Sequence, residues 1–177
     1  LSADTAGDRS TAIGFQALSV QNLTSHTDTY NTAVGYNAGV AVSTGTLNTL
    51  IGGNSGASMT TGVENTLVGS LAGDSLTTSQ RNVALGYNAL GVETLGQYSV
   101  AIGWSALGLQ SNTGSTVNAL NVAVGYNAGA SVTTGTLNNI MGGLAGDALT
   151  TGSENIAIGY GALGAETTGT KNVAIGS

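Results

Sequence analysis

Few residues in this chain could do chemistry, and their spacing suits it poorly. His26 is the sole histidine, with Ser25 and Asp28 beside it in sequence. A nucleophile, a base and an acid act together only in triad geometry, which adjacency does not supply. Gly159-Tyr160-Gly161-Ala162-Leu163-Gly164 has the letters of a dinucleotide-binding loop. That loop needs a helix behind it and an acid about 20 residues on to hold a ribose. Neither follows, and Asn88 stands in the place of Gly161 in an otherwise matching segment. Asp74 and Glu93 recur as Asp147 and Glu166 with the same separation, which reads as duplication and not as an acid–base pair. Zinc would need clustered His or Cys, and the chain has no Cys. Calcium would need an Asp-rich loop. The sequence predicts no enzyme, no cofactor and no metal.

The elements that would hold such residues are set by a repeat. Gly14, Gly35, Gly52, Gly69, Gly86, Gly103, Gly125, Gly142, Gly159 and Gly176 recur every seventeen residues, with two longer steps of twenty-one and twenty-two. A short period held this long means one small unit stacked on itself. Composition agrees: 29 glycines, no proline, 7% charged residues and a net charge of −6. Regularly placed Ile, Val and Leu argue against disorder. The only cations are Arg9, Arg81 and Lys171, too few and too scattered for nucleic-acid binding. No run of about eighteen apolar residues is available to span a membrane. No signal peptide is visible, and the chain begins without Met, so a fragment or processed piece is expected.

Each unit opens on Asn (Asn31, Asn48, Asn65, Asn82, Asn121, Asn138, Asn155, Asn172) or on Ser (Ser10, Ser99). A β-branched stretch follows and reads as a short strand. The glycine ends it, the segment around the next Ala reads as a second short strand, and Thr-Thr-Gly turns the chain back. Stacked coils would pair in parallel about 4.8 Å apart. The Asn column would then form an amide ladder. Glu64 would lie under Arg81, and Glu154 under Lys171, as inter-coil ion pairs. The predicted fold is an all-β parallel β-roll, or β-solenoid, of about ten 17-residue coils. It occupies residues 10–177 behind an N-terminal flank at 1–9, with long coils at 10–30 and 99–120.

The strands are apolar at consecutive positions, as in Leu67-Val68 and Ala157-Ile158. A single coil has one interior, so the second apolar face asks for a partner chain.

Units such as Asn82-Val83-Ala84-Leu85-Gly86-Tyr87-Asn88-Ala89-Leu90 resemble the head repeats of YadA-type trimeric autotransporter adhesins. They resemble still more the longer-coil repeats of phage tail fibres. The resemblance runs from Ser10 to Ser177 and implies a left-handed roll, a homotrimer and a role in attachment. It implies that the strands 83–86, 100–103, 122–125, 156–159 and 173–176 line the trimer interior. Adhesin heads have shorter coils, and the extra residues here fall around Thr-Thr-Gly.

Two places could carry binding. The long coils insert polar residues at 20–29 and 109–120, and such insertions bulge as loops. Asn22, Thr24, His26, Asp28, Gln110, Asn112 and Thr113 are the receptor-contact candidates there, with a surface glycan or protein as receptor. Decorations, or flaps that lock the trimer, are the alternative. The aromatic column Phe15, Tyr36, Tyr87, Trp104, Tyr126 and Tyr160 either stacks on sugar rings, with Trp104 foremost, or caps the turn beneath it. The expected function is a structural fibre or adhesin segment, extracellular, on a virion or bacterial cell surface. A phage tail fibre is the first reading, a bacterial trimeric adhesin the second. An ice-binding solenoid built on Thr columns is the remaining alternative.

Overall fold

The computed structural model describes residues 1, 3–112 and 116–177. The strands in chain order are β1 (Gly7–Asp8), β2 (Thr11–Ile13), β3 (Thr27–Asp28), β4 (Thr32–Val34), β5 (Thr49–Ile51), β6 (Thr66–Val68) and β7 (Val83–Leu85). They continue as β8 (Gly96–Gln97), β9 (Val100–Ile102), β10 (Val117–Asn118), β11 (Val122–Val124), β12 (Asn139–Met141), β13 (Ile156–Ile158) and β14 (Val173–Ile175). Ten of them form one parallel sheet in the order β2-β4-β5-β6-β7-β9-β11-β12-β13-β14. The two remaining pairs, β1 with β3 and β8 with β10, are also parallel. They lie where the long coils return, so β1 draws part of the 1–9 stretch into the stack. The fold is a parallel β-solenoid of about ten coils.

Coil positions are numbered here from the opening Asn or Ser. Position 3 faces inward, in the register Ala12, Ala33, Leu50, Leu67, Ala84, Ala101, Ala123, Ile140, Ala157, Ala174. Position 5 is the invariant glycine, with φ between 123° and 142°. Its backbone also stacks directly on the next coil: a Cβ at Gly125 would lie 2.6 Å from the Gly142 carbonyl oxygen. Both the dihedral and the contact exclude a side chain.

The expected second strand around the Ala is absent; successive turns replace it. Position 7 is left-handed in every coil, as at Asn37 (φ 55°), Asn88 (φ 56°) and Asn127 (φ 52°), and so is position 9, as at Gly39 (φ 58°) and Leu90 (φ 52°). Two left-handed residues with one between cannot extend. The amides of Ala38, Val40 and Val42 instead donate to the carbonyls of Gly35, Asn37 and Gly39.

Position 9 also explains how the core closes. Where position 3 is large (Leu50, Leu67, Ile140), position 9 is Gly56, Gly73 or Gly146. Where position 3 is Ala84 or Ala101, position 9 is Leu90 or Leu107, fully buried despite a positive φ. A left-handed Leu costs about 1–2 kcal/mol, and burying its side chain returns about as much or more. A Cβ at Gly39 would meet Leu50 at 2.5 Å and Leu18 at 3.1 Å, so one coil's glycine is filled by its neighbours' leucines.

Candidate functional site

The most ordered polar feature is the Asn column at position 1. Asn31, Asn48, Asn65, Asn82, Asn121, Asn138 and Asn155 are fully buried, and Asn172 sits at the last coil. Each side chain does two jobs. Its Oδ1 accepts the backbone N–H of the next coil's position 1, at 2.9–3.0 Å from Asn48 to Asn31, Asn65 to Asn48, Asn82 to Asn65, Asn138 to Asn121, Asn155 to Asn138 and Asn172 to Asn155. Its Nδ2 donates to the carbonyl fourteen residues ahead, closing its own coil: Asn48 to Gly62 at 2.8 Å, Asn65 to Ser79 at 2.9 Å, Asn138 to Gly152 at 2.9 Å. Buried amides need partners for every polar atom, and this column supplies them by stacking.

The ladder should break at Ser10 and Ser99, whose side chains are too short. It does not. In both long coils a glutamine at position 12 reaches back into the gap. Asn121 Nδ2 donates to Gln110 Oε1 at 2.8 Å, and Asn31 Nδ2 donates to Gln21 Oε1 at 2.9 Å. Each glutamine then donates to an acid in the coil below, Gln110 to Glu93 at 2.8 Å and Gln21 to Asp4. Glu93 is fully buried. Its Oε1 accepts the amides of Thr94, Leu95, Gly96 and Asn112, and its Oε2 accepts Asn112 Nδ2 at 2.8 Å. Burial pushes the Glu93 carboxyl up, but these donors outweigh it and hold it below the usual carboxylate range.

Of the receptor-contact candidates, Gln110 and Asn112 therefore face inward as parts of this brace. Thr113 lies outside the described residues. Asn22, Thr24, His26 and Asp28 are exposed, and three of them bond back to the N-terminal stretch. Thr5 Oγ1 donates to Asn22 at 3.1 Å, His26 Nδ1 lies 3.3 Å from Asp8, and Arg9 pairs with Asp28 at 2.7 Å. His26 thus meets an acid on an open surface rather than a nucleophile in a cleft.

The charged column at position 17 is stacked as well. Arg81 pairs with Glu64 and donates to the Tyr98 hydroxyl at 2.8 Å, while its guanidinium lies 5.6 Å from the Tyr98 ring centre. Lys171 stands 3.9 Å from Glu154. Thr hydroxyls at position 13 donate to the backbone of the coil above, as Thr77 to Thr94 at 3.0 Å and Thr150 to Thr167 at 2.9 Å.

Trp104 stands in a three-ring stack, 5.8 Å from Tyr87 and 5.3 Å from Tyr126. Phe15 and Tyr36 form a second stack at 5.5 Å. The rings lie face to face along the rod, so they offer edges to solvent more than faces. They border a larger feature. The outward positions 2 and 4 of the sheet carry no charge, and position 4 is Ile, Val, Leu or Met in every coil. Ile13, Met141 and Ile175 are more than half exposed there. Among the described residues, the exposed large hydrophobics off this face and its two rims are Leu1, Val20, Val92 and Leu109.

Compared with known proteins, the chain matches no family model, no curated protein and no solved structure.

Asp4, Gln21 and Glu93 are the residues that spacing arguments miss. The signal is present in hindsight: each Ser at position 1 comes with Gln at position 12, and with an acid at position 12 one coil earlier.

Proposed function

We propose that this chain is a segment of a fibrous attachment protein, in which three copies wind around one axis with their ten-strand sheets turned inward. The observation that carries the reading is the uncharged outer face of the sheet, aliphatic at position 4 in every coil. Ten strands about 4.8 Å apart and a width of six residues make a face of roughly 45 by 20 Å. That approaches 900 Å², about what each partner contributes to a stable interface. An aliphatic column left partly exposed along the whole of such a face marks an interaction surface. The proposed coils are left-handed, as in the adhesin heads and tail fibres whose repeats these units resemble. A rod of this kind extends from a virion or bacterial surface and contributes to binding a host glycan or protein. A phage tail fibre is favoured over a bacterial adhesin because the seventeen-residue coil is closer to the tail-fibre repeats. The ice-binding alternative has less support, since the position-13 hydroxyls already donate to backbone carbonyls. Competition tests the attachment role: the purified chain should reduce adsorption of the parent particle or cell to its host. Unchanged adsorption with excess chain bound to nothing would defeat it.

A further inference from the structure

The two rims of the exposed sheet face differ in a way that fits one to the other. The entry rim is the residue just before each ladder position, which is position 17 of the preceding coil where that coil is regular. The exit rim is position 6, the residue just after the invariant glycine. Within one coil they stand at opposite ends of the strand, about 20 Å apart for six extended residues. The exit rim is aromatic except at Gly53, Ser70 and Gly143 among its stacked positions. At those same levels the entry rim carries Leu47, Glu64 and Leu137. Leu47 and Leu137 are 49% and 46% exposed. The two glycines leave notches in the ring column. A Cβ at Gly53 would meet only Ser70 Oγ at 3.8 Å, and one at Gly143 would come no closer than 3.6 Å, to the Tyr160 ring. Neither glycine has the positive φ of the core glycines, so backbone conformation does not require glycine there.

Resting on the trimer proposed above, we infer that the entry rim of each copy docks on the exit rim of the next, level by level, with Leu47 and Leu137 seated in the notches at Gly53 and Gly143. A closed ring of three uses a heterologous contact, in which one surface meets a different surface of its neighbour. The entry and exit rims are such a pair, and parallel copies without axial shift bring equal levels together. Large against absent is the same rule that fills the core, where Gly56 and Gly73 face Leu50 and Leu67 of their own coils. At other levels Tyr98 meets Trp104 and Leu120 meets Tyr126, apolar on apolar. Arg9 and Arg81 meet Phe15 and Tyr87, which suits cation–π contact.

The chain has no cysteine, so the pairing can be read by disulfides. The double variants Leu137→Cys with Gly143→Cys, and Leu47→Cys with Gly53→Cys, are oxidised and run on denaturing gels. A disulfide needs Cα atoms within about 7 Å, which the two rims of one chain cannot meet. The expected result is a covalent trimer reversed by reductant, and none from the mismatched pair Leu47→Cys with Gly143→Cys. Light scattering on the reduced variants separates the failures. Trimeric mass without matched cross-links overturns the rim docking and leaves the trimer standing. Monomeric mass for the reduced variants and for the parent chain overturns both.

Discussion

Position 1 of each regular coil is an amide closed off from water, and position 4, three residues along the same strand, is an aliphatic side chain left in it. The usual arrangement is inverted at these two columns. Inside, polarity is tolerable because every atom of the Asn side chain meets a partner supplied by stacking, at 2.9 Å from Asn48 N to Asn31 and at 2.8 Å from Asn48 to Gly62. Outside, Ile13, Ile102 and Met141 stay exposed in the single chain. The inner column completes itself as the chain coils, and the outer one needs another molecule. A defect in the first should therefore unfold a single chain, and a defect in the second should separate chains that stay folded.

Asn65→Ala is expected to have the largest effect. It strips the acceptor from Asn82 N–H and the donor from Ser79 C=O. Buried groups left unpaired cost about 1–3 kcal/mol each, so denaturant titration should show a loss of about 3–5 kcal/mol. A loss under about 1 kcal/mol would mean the ladder is decoration.

Gln110→Leu comes next, at about 2–4 kcal/mol on the same reasoning, because Asn121 loses one of its two acceptors and Glu93 a donor. It should also change the acid limb. The folded Glu93 carboxyl lies below its ordinary value. Its contribution is thus complete above the ordinary carboxylate range and is lost as pH falls through the folded value. With a donor removed, burial is less well opposed, the folded value rises, and acid unfolding followed by circular dichroism should begin at higher pH. An unmoved acid midpoint would show that Gln110 does not brace Glu93.

On the outer column, Ile102→Glu should leave the single chain's stability within about 0.5 kcal/mol, as for surface changes generally. It should nevertheless lower the mass in solution, since three acids would converge at the axis. A variant that keeps the parent's mass would mean the face is not the interface. Arg81→Leu should matter least to the stability of the single chain. Exposed ion pairs contribute about 0–1 kcal/mol, and both partners here are more than two-fifths exposed.

Much of this was readable from matching letters. The seventeen-residue beat gives the stack, and equal positions in consecutive coils become neighbours, which is how Glu64 and Arg81 can be paired on paper. The segments around Ala38, Ala89 and Ala128 look extended by composition and are turns in the structure. The Asn before each and the Gly or Leu after it, at positions 7 and 9, are the left-handed residues that curl the segment. Spacing places Gln110 in an outward loop, whereas the structure buries it. Its place beside the Ser99 gap depends on how far the long coil folds back, and spacing along the chain does not encode that. The exchange of Leu and Gly between positions 3 and 9 was hidden for a similar reason, since it becomes visible only when the coil is closed.

The mass of the intact chain in dilute solution tests the central claim most directly. Multi-angle light scattering should return three times the 17.2 kDa of one chain. A folded species of 17.2 kDa would contradict the account.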